Sequence, residues 1–277
     1  MSRSRDRRPI GVFDSGVGGL TVLSELQRRL PDEATVYLGD NARAPYGPRP
    51  ADEVERFTLE GVRWLLALDI KLLVLACNTA TARALPMVRD VSPVPVLGVV
   101  RPGAVAAAAA TRVGRVGVIA TAGTVESGAY PAALLEADPA LAVSQQACPD
   151  LVPLVEAGRL EGPDTERRVR GYLGKLLAHD PALDTLLLGC THYPLLRPVI
   201  ERLVGERVAV VDSAFTTALA TEDLLDALGA RATSGDGAAP PSHRVVTTGD
   251  AEAFRSVATR LFGEALPQVE AAELAPV

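Results

Sequence analysis

The 277-residue sequence predicts an α/β fold of two similar α/β lobes with mainly parallel sheets, facing each other across a cleft. Three observations lead there. Short apolar, β-branched runs alternate with amphipathic helical patterns along nearly the whole chain, an order that produces βαβ units and a parallel sheet. Polar, chemistry-bearing residues follow the apolar runs directly, at the strand ends where such sheets bind ligands. One strand-and-turn segment recurs in the second half of the chain.

The expected strands are Ile10–Phe13, Thr35–Leu38, Lys71–Ala76, Val94–Val100, Arg115–Ala120, Ala142–Gln146, Asp184–Gly189, Arg207–Val211 and Arg244–Thr247. Between them, Asp52-Glu53-Val54-Glu55 reads as a capping box that opens a helix, with Val54, Phe57, Val62, Leu65 and Leu68 as its apolar face. Thr165 to Leu177 repeats the pattern through Val169, Tyr172, Leu173, Leu176 and Leu177. The stretch Thr233 to Ser242, with Gly235, Gly237, Pro240 and Pro241, reads as a loop, and the tail after Pro267 as loosely held.

Composition narrows the function. Apolar residues are 48% and charged residues 22%, which supports a sizeable core and excludes a mostly disordered chain. A net charge of −6 argues against a nucleic-acid partner, which calls for a basic face. No apolar run approaches the ~20 residues needed to span a bilayer, so no membrane partner is expected. Met1 to Arg8 is basic, but Asp14 interrupts the apolar run that a signal peptide would place there, and the expected location is cytoplasmic. Three cysteines, an odd number widely spaced, read as free thiols in a reducing compartment.

The strand ends hold the candidates. Asp14-Ser15-Gly16, Gly39-Asp40-Asn41, Cys77-Asn78-Thr79, Thr121-Ala122-Gly123-Thr124, Cys190-Thr191-His192 and Asp212-Ser213 each follow an expected strand. Any one alone is ordinarily a polar helix N-cap; six in register are harder to dismiss. The echo pairs Leu72-Leu73-Val74-Leu75-Ala76-Cys77-Asn78-Thr79 with Thr185-Leu186-Leu187-Leu188-Gly189-Cys190-Thr191-His192. Chance likeness of two hydrophobic strands would explain it, as would two lobes each offering one thiol to a shared cleft.

Cys148, in Ala147-Cys148-Pro149, reads as a small buried hydrophobe. Cys77 and Cys190 are each expected to start a helix, whose N–H groups and dipole would lower the thiol pKa. Asp14 is placed to assist one thiol and His192 the other. Four chemistries use such residues. A zinc site needs four closely held ligands, commonly as C-x₂-C pairs, and none exists here. A single-nucleophile hydrolase built on Cys190, His192 and Asp14 or Glu156 leaves Cys77 idle. A redox dithiol gives no role to the surrounding Ser, Thr and Asn. A two-base racemase uses all of them: one thiolate removes an α-proton from one face and the opposite thiol returns a proton to the other. Ser15, Asn78, Thr79, Thr121, Thr124 and Thr191 would then stabilise the carbanion's oxygens. A pyridoxal racemase needs an active-site lysine, yet only Lys71, at the far end of a strand, and Lys175, within an amphipathic helix, are present.

At the level of motifs, five segments in order resemble the glutamate racemases. They are Ile10 to Leu20 (IGVFDSGVGGL), Tyr37 to Gly47 (YLGDNARAPYG), Ala76-Cys77-Asn78-Thr79-Ala80, Ala147-Cys148-Pro149 leading to Leu151–Glu156, and Leu188-Gly189-Cys190-Thr191-His192-Tyr193-Pro194. From Gly249-Asp250 onward the chain is similar to that family's closing helix. The resemblance implies interconversion of L- and D-glutamate without a cofactor or metal, supplying D-glutamate for peptidoglycan. It also implies two lobes, 1–100 with 214–277 and 101–213. Carried over, Cys77 acts on D-glutamate with Asp14 assisting, and Cys190 on L-glutamate with Glu156 and His192 assisting. The implied substrate contacts are Asp14 with Ser15, Tyr46 with Gly47, Asn78 with Thr79, Thr121, Thr124, and Thr191 with His192. A small-molecule substrate and a homodimer are consistent with it. Asp150 and the Thr233–Ser242 stretch are less typical of the family.

Each helper also has a plainer role: Glu156 as a helix end, Tyr46 as loop packing, Arg43 as a turn partner of Asp40. No cationic side chain stands out for the substrate carboxylates, which points to neutral donors and backbone N–H groups. Aspartate or hydantoin racemases of the same superfamily remain the nearest alternative. A two-lobed binding protein, which would exchange no α-hydrogen, and a purely interacting protein are the alternatives from other classes.

Overall fold

A computed structural model describes residues 6–233, 240–263, 266 and 268–276; most of the expected Thr233–Ser242 loop lies outside them. The chain opens with β1 (Ile10–Asp14), α1 (Leu20–Arg29), β2 (Thr35–Gly39), α2 (Ala51–Leu66), β3 (Leu72–Leu75), α3 (Asn78–Val91), β4 (Val96–Gly98) and α4 (Val100–Ala110). It continues through β5 (Arg115–Ala120), α5 (Ala122–Ser127), α6 (Ala129–Ala137), β6 (Ala142–Ala147), α7 (Leu151–Glu156), α8 (Pro163–His179), β7 (Thr185–Gly189), α9 (Arg197–Val204), β8 (Ala209–Asp212) and α10 (Ser213–Leu228). It closes with β9 (His243–Thr247), α11 (Ala251–Phe262) and β10 (Val269–Ala271).

Two parallel sheets result, in strand orders β10-β9-β2-β1-β3-β4 and β6-β5-β7-β8. The expected two-lobed α/β class is what the chain adopts. The central strands β1, β2, β3 and β7 are buried along their whole length, because helices cover both faces, and this is why they read as unbroken apolar runs. One face of the six-stranded sheet packs Phe13, Leu38, Leu73 and Leu75 against Val54, Phe57, Val62 and Leu65 of α2. On the other, Val12, Tyr37 and Val74 meet Leu23 and Leu26 of α1.

Four expectations need correction. The Val94–Val100 run yields only three strand residues, since Pro93 precedes it, Pro95 lies within it and Val100 already belongs to α4. The capping box does not form: α2 begins at Ala51 after Pro50, no side chain caps it, and Asp52 and Glu53 sit inside the first turn, where they meet the positive end of the helix dipole. The tail after Pro267 is held, as β10 pairs in parallel with β9 through Val269↔Val245 and Ala271↔Thr247. Arg244 reinforces that pairing with two bonds to Glu270, of 3.0 and 2.7 Å. Finally, Cys190 does not start an α-helix; a 3-10 turn, Tyr193–Leu196, follows it with His192 as its N-cap. Among the described residues no helix is long and apolar enough to cross a membrane.

At the end of the sheet opposite the cysteines, Lys71 and Glu33 form a buried ion pair of 2.5 Å, with side chains 1% and 2% exposed. Lys71 Nζ also donates to the carbonyls of Asp6 and Ala230, each at 2.8 Å, and Glu33 Oε1 accepts the Ala232 N–H at 2.8 Å. The pair thus ties the segment before β1 to the chain leaving α10. Lys71→Met strands a buried carboxylate and is expected to cost roughly 3–5 kcal/mol in urea unfolding, while the double variant with Glu33→Leu recovers much of that loss.

Candidate active site

The carboxyl ends of strands from both sheets open onto one narrow cleft. Cys77, directly after β3, and Cys190, directly after β7, both line it. So do Ser15, Tyr46, Gly47, Asn78, Thr79, Thr121, Glu156, Thr191 and His192. Asp14 and Thr124, also expected at the site, stand fully buried behind this lining. Gly16, Ala44, Pro45 and Val152 complete it. Ala44, Pro45 and Val152 have no polar side-chain group to single them out in the sequence, while Gly16 falls in the expected Asp14-Ser15-Gly16 cluster.

Contacts between the two halves hold the cleft closed. The Gly123 N–H donates to the Gly47 carbonyl at 2.9 Å. Thr79 Oγ1 lies 2.9 Å from Thr121 Oγ1 and 3.2 Å from Thr124 Oγ1, a cluster of hydroxyls in which Thr121 also accepts the Thr124 N–H at α5's start. Thr21 Oγ1 donates to the Thr191 carbonyl at 3.1 Å. Gly18 lies so close to the same turn that a Cβ there would stand 2.5 Å from the His192 ring, so only glycine fits.

The two thiols meet opposite electrostatic surroundings. Cys77 is the N-cap of α3 and its sulfur accepts the Ala80 N–H at 3.4 Å, with Ser15 Oγ at 3.5 Å. Burial, helped by the negative charge of Asp14, nevertheless pushes this thiol up to about 12. The expected lowering at a helix start does not occur, because desolvation outweighs two hydrogen bonds. Asp14 Oδ1 accepts the Gly16 N–H at 3.0 Å, Oδ2 has no hydrogen-bond partner among the described residues, and burial raises its carboxyl.

Cys190 faces a cation instead. Its sulfur is 3.8 Å from His192 Nδ1, and His192 Nε2 is 3.0 Å from Glu156 Oε1. Burial opposes charge on the ring, but the sulfur and the carboxylate together raise it to about 10, so at neutral pH it is an imidazolium that can donate from both nitrogens. Among the described residues no Lys or Arg lines the cleft.

Around this centre, several groups are fixed by their own neighbours. The Tyr46 hydroxyl is tied to Asp40, which also accepts from Arg43 Nε at 2.7 Å and Thr248 Oγ1 at 2.6 Å. The Tyr46 ring packs between Phe13 and Phe57, so the side chain builds the wall of the cleft. Asp212 caps α10 through the Ala214 and Phe215 N–H groups. Cys148 is fully buried within the apolar core, outside the cleft lining. Among the described residues no group of His, Cys, Asp and Glu is arranged to hold a metal ion.

Paired parallel-sheet lobes with a thiol from each on one closed cleft define the two-lobed racemase class of α/β protein. The Asp/Glu/Hydantoin racemase family model matches residues 10–222. A glutamate racemase of Oceanobacillus iheyensis is 48% identical over 257 residues, covering 93% of this chain and 92% of that one. Among solved structures, a glutamate racemase isoform from Bacillus anthracis superposes with a TM-score of 0.91 at 42% identity, covering 97% and 98% of the two chains. The Francisella tularensis glutamate racemase in complex with D-glutamate gives 0.87 at 31% identity, with the same coverage. The chain belongs to the Asp/Glu/hydantoin racemase family.

Thiol reactivity follows the surroundings, since only the thiolate attacks. In the native protein at neutral pH, iodoacetate is expected to label Cys77 only slowly, because burial keeps its thiol protonated, with the rate climbing as pH approaches 12. Cys148 should react only after unfolding; peptide mass spectrometry reads all three.

Proposed function

We propose that this protein is a cofactor-independent glutamate racemase that interconverts L- and D-glutamate and supplies the D-enantiomer for peptidoglycan synthesis in the cytoplasm. The observation that carries the proposal is that Cys77 and Cys190, from the ends of strands in two different sheets, line the same cleft. On this reading the described parts of 1–100 with 214–277 form the lobe that brings Cys77, and residues 101–213 the lobe that brings Cys190.

L-glutamate lies between the sulfurs. Cys190, beside the His192 imidazolium, acts as the base and removes the α-proton from one face. The electron pair left on Cα delocalises into the α-carboxylate, whose growing charge meets the hydroxyls of Ser15 and Thr191, donors already in place in the cleft. The thiol of Cys77, kept protonated by burial, delivers its proton to the opposite face, and D-glutamate results. In the reverse direction the thiols exchange roles: Cys77 is the base, with Asp14 as its buried neighbour, and Cys190 the acid. Tyr46 with Gly47, Asn78 with Thr79, Thr121, and Thr191 with His192 hold the substrate, with Thr124 bracing Thr79 and Thr121.

Cys77, protonated at rest, is placed to act as the acid of L-to-D turnover. The His192 proton sets an upper pH limit. Because its pKa is raised, the imidazolium persists from neutrality until pH passes about 10 and is lost above it. L-to-D kcat is therefore expected to fall through that range, and His192→Gln should be slower throughout and lack that limb.

The decisive experiment incubates the protein with L-glutamate in deuterated water with no added cofactor. D-glutamate carrying deuterium at Cα is the expected product, and Cys77→Ser should abolish racemisation by at least about a hundredfold. Turnover of L-aspartate with none of L-glutamate would overturn the substrate assignment, and no exchange at Cα would overturn the catalytic one.

A further inference from the structure

We infer that Tyr130 is a positioning residue that bridges the two thiol-bearing turns, fixing the orientation of the Asn78 side chain on one side and the seat of Cys190 on the other. The inference rests on the racemase proposal and adds to it a residue that does not line the cleft. Tyr130 lies in α6 and is fully buried. Its ring packs on Gly189, the last residue of β7: a Cβ built there would stand 2.8 Å from the ring, so only glycine leaves it room. Its hydroxyl reaches the opposite way, to the first residue of α3, where Asn78 Nδ2 donates at 2.6 Å. Cys190 follows Gly189 directly, and Cys77 directly precedes Asn78. One rigid side chain therefore spans the strand end that presents one sulfur and the helix start that presents the other.

The chemistry at Asn78 gives the bridge its use. The side chain is 2% exposed and belongs to the cleft lining. Its amide hydrogens are engaged by the Tyr130 hydroxyl and, at 3.4 Å, by Ser213 Oγ. The amide oxygen has no partner among the described residues, and a buried acceptor left unmade is unfavourable. Held this way, Asn78 offers the substrate an acceptor only, which suits an α-ammonium group with its three hydrogens. Without the hydroxyl the amide loses its shorter hydrogen bond, and its oxygen is no longer held in place. Tyr130 thus fixes a side chain of the cleft lining without itself lining the cleft.

Tyr130→Phe keeps the ring on Gly189 and removes only the hydroxyl. Steady-state kinetics of parent and variant, run with L- and D-glutamate, are expected to give a KM raised about tenfold with kcat kept within about threefold. Ser213→Ala breaks the longer contact and is expected to raise KM roughly two- to threefold. Loss of packing alone would lower the melting temperature and leave KM in place. A KM unchanged in both variants, or a fall confined to kcat, overturns the inference while leaving the racemase proposal standing. A parent protein inactive on glutamate overturns both. Should Tyr130→Phe fail to fold by circular dichroism, an unchanged KM in Ser213→Ala is sufficient to overturn the inference.

Discussion

Everything at the centre of this molecule depends on two parallel sheets meeting with their carboxyl ends toward a common space. In a parallel sheet each strand must give way to a loop and a helix at that end, so backbone N–H groups and short polar side chains collect there. Two such ends face to face produce a closed, polar chamber without any residue having to be imported on a long loop. The hydroxyl cluster of Thr79, Thr121 and Thr124 and the Gly123-to-Gly47 hydrogen bond bind the two halves at that seam. The glycines Gly18 and Gly47 let backbones come within side-chain distance of the opposite half.

Within that chamber, two chemically identical groups are made different by their neighbours. Cys77 has a carboxylate nearby and dry surroundings; Cys190 has an imidazolium that is itself held by Glu156. The difference follows from simple balances. At Cys77 desolvation outweighs the hydrogen bonds to its sulfur, whereas at His192 the neighbouring sulfur and carboxylate outweigh it. Symmetric chemistry on a substrate with two equivalent faces therefore takes place in a site that is not itself symmetric.

The fold class was legible because buried parallel strands write themselves as apolar runs, and the site because strand ends are where polar residues interrupt those runs. Cys77, Cys190, Asn78 and Thr121 could be found that way. What was not legible has physical reasons. The run Val269–Ala271 is too short and too polar to signal a strand; its pairing depends on a partner, β9, and on the Arg244–Glu270 contact. The raised Cys77 thiol could not be anticipated from its place at a helix start, since burial is a property of the assembled lobes. Tyr130 sits in an alanine-rich helix with no motif around it, and its relation to Asn78 and Gly189 exists only in three dimensions. Asp212 carried the same signal as the others and is simply a cap and a partner of Arg197.

The six-stranded sheet is not continuous in the chain: Thr35 in β2 pairs with His243 in β9, a separation of 208 residues. On a ribosome adding about 5–20 residues per second, β2 emerges roughly 10–40 s before the strand that covers it. During that interval Thr35–Gly39 is a bare edge of apolar residues, the kind of surface on which nascent chains aggregate. Translation order thus makes the last-made strands the closing seal of the first-made lobe, and a polypeptide halted before His243 keeps that edge open however well its second lobe has folded.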